Sequence, residues 1–248
     1  MESFFDLAHE FDEHGNRIGI PVPGGPAESV VPEEMAGTWV RLEPLDAERH
    51  ASDLFSAYRG HDELWTYMPQ GPLTSVEEYS SWVSGVEHRA DPMFFAIVER
   101  ETNKAMGVAS YLRNDLAARS VEVGWITFSH QLQRTAGATE AMYLMMRNAF
   151  DRGYRRYEWK CNALNDASKD AAERLGMTFE GVFRQATVVK GRNRDTAWFA
   201  LLDSDWPDVK RALEGWLAPS NFDMAGVQIT SLSGATKPSV GRSWREFA

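Results

Sequence analysis

The sequence holds a single cysteine, Cys161, in 248 residues. An intrachain disulfide is therefore excluded. No Cys/His cluster has the spacing of a zinc site, and the six histidines show no ligand spacing, so no metal is expected. No apolar run approaches the ~20 residues that span a bilayer, and the opening MESFFDLAHEFDEHG has neither the basic start nor the apolar core of a signal peptide. A soluble cytoplasmic chain with no membrane partner is the expectation. A basic excess is missing too: 26 Lys and Arg stand against 36 Asp and Glu, a net charge of -10. Phosphate-backbone binding relies on concentrated positive charge, so a nucleic-acid partner is excluded. The balance suits a cationic or amine substrate, and solubility alone would explain it equally well. There is no internal repeat and no helix long enough for a coiled coil.

What is present is an ordinary globular composition, 43% hydrophobic, in a chain long enough for one large domain or two small ones. The segment GIPVPGGPAESVVPEE carries Pro21, Pro23, Pro26 and Pro32, which fix φ and remove donors, so residues 1–36 read as an extended arm. Residues 219–248 are rich in small residues and read as an irregular tail that Phe222, Trp244 and Phe247 could pin to a surface. Either could serve a homodimer interface. Between them, residues 37–218 alternate. A strand TWVRLEPL is followed by two helices, AERHASDLFSAYRG and TSVEEYSSWVSGVEHR, and then by a meander of PMFFAIVER, KAMGVASYLR and SVEVGWITF. Next comes a helix with Ala138, Met142, Met145 and Ala149 on one face, ending near Gly153; Met146 also reads as core filling. The strand YRRYEWKC and the short helix DASKDAAERLG follow, and the strands FEGVFRQATVV and RDTAWFALL close the domain through a KGRN turn. A Trp206-Pro207 stop precedes a last helical stretch, DVKRALEGWL.

The run LQRTAGATEAMYLMMRNAF opens with small residues ahead of a helix. Main-chain N–H groups at a helix start can hold phosphate oxygens, and Ala136, Gly137 and Ala138 permit close approach, with Arg134 as an added charge. A core helix with a polar lead-in would look the same. A second element follows the strand that ends at Cys161: in NALNDASKDAAERLGMTFEG, Asn165 opens a helix, Ser168 lies three residues on and a Gly-Met step follows.

This ordered set resembles the GNAT N-acetyltransferase family. Gln133-Arg134-Thr135-Ala136-Gly137-Ala138 matches its Q/R-x-x-G-x-G/A loop, and Asn165 to Ser168 its N-x-x-S helix. TEA, VEVGW, RLGMTFEG and the opening RLEPLD are similar to the branch that includes the bacterial ribosomal-protein N-terminal alanine and serine acetyltransferases. The resemblance spans about Gly37 to Trp206. It implies an α/β (α+β) fold, a mixed, mostly antiparallel sheet flanked by helices, with an acetyl-CoA cleft between two splayed central strands. It further implies N-acetylation of a primary amine, on a small molecule, an amino acid or a protein N-terminus, by direct transfer in a ternary complex. The other reading is a non-catalytic acyl-CoA-binding or protein-interaction module.

Carried onto this sequence, the resemblance implies that Gln133, Arg134, Thr135, Ala136, Gly137, Ala138 and Thr139 hold the pyrophosphate. It gives main-chain groups of Trp125, Ile126 and Phe128 to the cofactor, and Asn165 to its pantetheine amides. Ala136 departs from the family's usual glycine, so the backbone there must bind without a left-handed residue. Glu122 is the first candidate for the general base; it could equally be a strand carboxylate paired with an arginine, and Glu180 competes for the role. The tyrosine that many members carry seven residues after the asparagine is here Ala172. Ser168 is then the candidate donor to the thiol sulfur, or only a helix-start residue. Cys161 reads as packing rather than nucleophile. Trp65, Tyr67 and Met68 lie where the family lines its acceptor pocket, and would otherwise pack the early helices.

Overall fold

The computed structural model describes residues 8–224, 226–237 and 240–247; the first seven residues of the expected arm, and Ala225, Pro238, Ser239 and Ala248 of the tail, lie outside them. The described part of the arm contains a small hairpin, β1 (His9–Phe11) with β2 (Arg17–Gly19). The chain then runs extended into an eight-stranded sheet of order β3-β4-β5-β6-β7-β8-β10-β9. Its strands are β3 (Met35–Ala36), β4 (Val40–Pro44), β5 (Met93–Glu99), β6 (Ala105–Asp115), β7 (Ser120–Phe128), β8 (Arg156–Asn162), β9 (Thr178–Val189) and β10 (Arg192–Leu202). All pairings are antiparallel except β7 with β8. A parallel pair needs a crossover, and α3 (Ala136–Asp151) supplies it.

Alternation along the strands divides the interior into two cores. Helices α1 (Ala47–Tyr58) and α2 (Val76–Ser84) place Leu54, Tyr58, Tyr79 and Val83 against Phe94, Ala96, Val98 and Val108 of β5 and β6. On the other face α3, α4 (Asp166–Arg174) and α5 (Trp206–Leu217) cover Val121 and Val123 of β7, Tyr157 and Trp159 of β8, and Phe199 of β10. No residue of β8, β9 or β10 belongs to the first core, so among the described residues that face of the sheet's C-terminal half carries no helix.

Several local expectations take a different form. Pro207 lies in the first turn of α5, where a missing N–H costs nothing, so Trp206-Pro207 starts that helix instead of stopping the chain. The β9–β10 turn uses Lys190 and Gly191, both left-handed, and Asn193 is already in β10. The tail contains a short helix, α6 (Leu232–Thr236), and is fastened by Phe222 between Trp39 and Trp216, by Trp244 on Asp170 and Glu173 of α4, and by Phe247 on Phe179.

One side chain joins α3 to the start of β4. The buried Glu140 carboxylate accepts three consecutive main-chain N–H groups, from Thr38 at 2.6 Å, Trp39 at 2.7 Å and Val40 at 2.9 Å. A Cβ on Gly37 would lie 2.3 Å from that carboxylate, so the glycine is required by the close approach. Removing the acceptor in Glu140→Ala strands donors that are partly or fully out of water, at ~1–3 kcal/mol for each buried one. A loss of at least ~3 kcal/mol in denaturant unfolding is expected, and a loss below ~1 kcal/mol would mean that water replaces the clamp.

A second buried cluster couples stability to pH. Glu43 lies beneath Arg41, Arg49 and His50. Burial alone would raise its carboxyl, but the hydrogen bonds from Arg41 and His50 and the charge of Arg49 outweigh it and hold Glu43 below the usual range. Burial pushes His50 below its ordinary 6.5, against the pull of Glu43. Both groups are depressed in the folded state, so both contribute stability that is present above their unfolded values and is lost as pH falls. The melting temperature should therefore drop on acidification from pH 7, His50 acting first and Glu43 below about 4.5. In His50→Gln, calorimetry should show a shallower slope between about pH 6.5 and 5; an unchanged slope there would contradict this account.

Candidate active site

β7 and β8 run together only briefly. Their parallel ladder covers Ser120 to Val123 against Arg156 to Trp159, and from Gly124 to Phe128 β7 has no strand partner on that side among the described residues. The divergence coincides with an irregularity on the β6 side, where the register shifts between Val108 and Ser110 and Trp125 adopts φ 53. A bulky residue in the left-handed region is strained by ~1–2 kcal/mol. Trp125 is held there by packing against Phe94, with ring centroids 5.7 Å apart. Beyond the split lies an open cleft of about 2190 Å³. That is well above the ~300–1,000 Å³ of ordinary small-molecule pockets and leaves room for two substrates together.

At one end the cleft meets the start of α3. Arg134, at φ 63, is the left-handed residue that turns the chain into the helix, two positions before Ala136, which keeps ordinary backbone. Thr135 is the N-cap: its hydroxyl accepts from the Ala138 N–H at 3.2 Å and donates to the Leu132 carbonyl at 2.7 Å. The main-chain N–H groups of Arg134, Ala136 and Gly137 find no acceptor among the described residues. Gly137 serves packing, since a Cβ there would lie 2.8 Å from Val40. Nearby cations without an acidic partner among the described residues include Arg174, which donates to Thr139 Oγ1 at 2.9 Å, and Arg100, which donates to the Gly37 carbonyl. Unused donors and positive charge at a helix start fit a bound pyrophosphate. Sequence reasoning missed Arg174 because its neighbour Thr139 lies far away in the chain.

All of the cofactor residues expected from the sequence line this cleft: Trp125, Ile126, Phe128, Gln133, Arg134, Thr135, Ala136, Gly137, Ala138, Thr139, Asn165 and Ser168. Asn165 caps α4 through Oδ1, which accepts from the Ser168 N–H at 3.1 Å, and its side-chain N–H groups make no bond among the described residues. The Ser168 hydroxyl accepts from Trp159 Nε1 at 3.0 Å. Burial pushes the Cys161 thiol up to about 11, which suits packing and not nucleophilic attack. Ala172 is fully buried in the main core while Ala171 faces the cleft, so neither position offers a phenol.

Glu122 also lines the cleft, buried, where β7 leaves β8. Its Oε2 is taken by Lys160 Nζ at 2.8 Å and by Arg113, whereas Oε1 has no partner among the described residues. The carboxylate thus pairs with an arginine, as one of the two sequence readings had it, and the residue lines the cleft. Lys160 continues to Glu158 at 2.7 Å, and Glu158 to Arg156 at 2.6 Å. Arg156 also grips Glu180 through both terminal nitrogens, so the competing Glu180 is occupied and does not line the cleft. Burial works against the Glu158 carboxyl, yet Lys160 and Arg156 hold it below its ordinary range. The alternation Arg156, Glu158, Lys160 on one strand face was visible in the sequence; its partners on other strands were not.

Of the expected acceptor residues, Tyr67 and Met68 line the cleft and Trp65 does not. Trp65 is buried against Tyr58 and Tyr79 in the α1–α2 core, because in an aromatic run the neighbouring side chains diverge. At the mouth, His61, Glu63 and His130 come together from two distant loops, with His130 Nε2 2.8 Å from Glu63 and all three ligand atoms within 4.8 Å of one another. No sequence spacing announces that cluster.

Comparison with known proteins agrees with this geometry. A model of the acetyltransferase (GNAT) domain matches residues 40–178. A GCN5-related N-acetyltransferase from Brucella melitensis is 41% identical, with a TM-score of 0.84 over 86% of this chain and 98% of its own. A GNAT-family acetyltransferase from Chromobacterium violaceum is 38% identical, with a TM-score of 0.72 over 77% of this chain and 97% of its own. RimL, a ribosomal L7/L12 α-N-protein acetyltransferase seen in complex with coenzyme A, shares the fold at 24% identity and a TM-score of 0.59, over 69% of this chain and 99% of its own. No curated protein matches the chain. The chain belongs to the GNAT acetyltransferase family; it is an acyltransferase that draws its acetyl group from acetyl-CoA. No helix among the described residues is long and apolar enough to cross a membrane.

An anion held by the α3 start makes a specific prediction for Ala136→Asp, which puts a carboxylate beside the free N–H groups. A negative charge at a helix start stabilises the helix by ~0.3–1 kcal/mol, so thermal stability should hold or rise. Coenzyme A affinity, measured by titration calorimetry, should fall about tenfold or more, ~1.4 kcal/mol. Undiminished affinity would place the phosphates elsewhere.

Proposed function

We propose that this protein moves the acetyl group of acetyl-CoA to a primary amine, by direct transfer with both substrates bound. The observation that carries the reading is the buried, cleft-lining Glu122 at the point where two strands part, held through Oε2 and with no partner on Oε1 among the described residues, in a cleft whose other end offers N–H donors that find no acceptor among them. In this reading Arg134, Ala136 and Gly137 bind the pyrophosphate through their main chain. The open edge of β7 from Gly124 to Phe128 and the Asn165 amide hold the pantetheine arm across the split.

Acetyl-CoA supplies an activated thioester carbonyl. Glu122 Oε1 orients the amine and takes its proton, directly or through one water, as the C–N bond forms and the C–S bond breaks. Lys160 and Arg113 fix the carboxylate by its other oxygen, so Oε1 cannot rotate out of the cleft. The Ser168 hydroxyl, positioned by Trp159, donates a hydrogen bond to the departing sulfur, and solvent delivers its proton. A lone buried thiol and a need for acetyl-CoA favour action in the cytoplasm.

Incubation with acetyl-CoA and a panel of amines, followed by free-thiol release, tests the reading. Glu122→Gln should lower kcat by ~10²- to 10⁴-fold while coenzyme A affinity stays unchanged. Wild-type turnover in that variant would remove Glu122 from the chemistry.

A further inference from the structure

The acceptor end of the cleft is built on the sheet face that carries no helix, and its charges can be counted. Arg113, Lys160 and Arg156 are joined to Glu122, Glu158 and Glu180 in one continuous chain of ion pairs. Three cations meet three carboxylates there, and the chain is neutral. Arg194 of β10 lines the same cleft and stands outside that chain: it makes no ion pair and no hydrogen bond among the described residues. It is half-buried, its Nε lies out of water without an acceptor, and burial pushes its guanidinium below the usual arginine range while the charge of Glu122 opposes that.

A second orphan donor sits on the same strand face. Trp198, four residues on, has its Nε1 buried without a partner among the described residues; Phe183 stacks on its ring at 4.5 Å and Lys160 lies 3.6 Å from its centroid. Buried donors almost always have an acceptor in the functioning molecule. An unmatched guanidinium beside a neutral ion-pair chain asks for a single negative charge. A phosphate near two charges would overshoot, and a carboxylate matches both the charge and the planar fork of arginine.

The same end of the cleft is crossed by two ties. Lys190 at the β9–β10 tip donates to the Trp65 carbonyl at 2.8 Å, and the Tyr67 hydroxyl donates to the Leu164 carbonyl at 3.0 Å. These two ties draw the segment carrying Tyr67 and Met68 across to the opposite wall.

We infer that the acceptor is a small amine bearing a carboxylate, of the amino-acid type, with its carboxylate on Arg194 and its amine at Glu122 Oε1. This rests on the acetyl-transfer reading for the amine and on the charge count for the carboxylate. An acidic protein thus presents, at one point of its surface, a positive site that selects against simple polyamines.

The test has a turnover arm and a binding arm. Amino acids are compared with their carboxamides and decarboxylated amines as acceptors, in wild type and in Arg194→Gln and Arg194→Lys. Because Arg194 makes no bond, all three should melt together. An acid should exceed its amide by about 10- to 100-fold in kcat/KM, mostly through KM, and Arg194→Gln should erase that preference while Arg194→Lys restores part of it. Equal use of acids and amides, best turnover with a peptide N-terminus, or a preference that survives Arg194→Gln would overturn the inference. In the binding arm, saturation-transfer NMR on the CoA-loaded protein should show amino-acid contacts that vanish in Arg194→Gln. If no amine is acetylated yet that contact is present, the transfer reading fails and the carboxylate site stands; if the contact is absent or indifferent to Arg194, the site fails.

Discussion

The structure depends on two strands that start as neighbours and do not remain so. A parallel ladder of four residue pairs fixes β7 beside β8, and then Trp125, forced into a left-handed backbone, turns β7 away. A sheet that stayed closed would have no unpaired main chain at its centre and no route through it. Opening it costs ladder hydrogen bonds and local strain, which the rest of the fold must offset. The two cores do this from opposite sides, α1 and α2 pressing on β5 and β6, α3 to α5 on the strands beyond.

The crossover helix has two tasks. The turn leading into it and its first residues leave the N–H groups of Arg134, Ala136 and Gly137 without acceptors among the described residues, and its second turn sends Glu140 to hold three N–H groups of the chain leading into β4. The TEA sequence is thus a structural device: Thr139 receives Arg174, and Glu140 secures the neighbouring strand close enough for Gly137 to meet Val40. Any shift of that helix would move the phosphate end and the strand together.

Much of this was legible in the sequence where the signal is local. SVEVGWITF matches β7 from end to end because strand-forming residues follow the Asn114-Asp115 turn signal, and Asn165 three residues before Ser168 correctly marks a helix start. Trp206-Pro207 misled because proline both ends and begins helices, and only the following residues decide which. The aromatic run DELWTYMPQGP reaches the cleft, but the sequence does not tell which side chain turns inward; Trp65 went to the core and Tyr67 to the cleft. Least legible were the groupings that depend on register between distant strands. The Glu122–Lys160 pair and the approach of His130 to His61 and Glu63 each join residues that nothing in the linear order connects, and nothing in it shows that Arg194 is left without a partner among the described residues.

The central claim is that main-chain amides at the split and at the α3 start grip acetyl-CoA. Titrating coenzyme A into ¹⁵N-labelled protein and following the amide resonances tests it most directly. The account predicts that the largest shifts fall on Arg134, Ala136 and Gly137, with a second group along Trp125 to Phe128. Saturable binding that leaves those amides unmoved would contradict it.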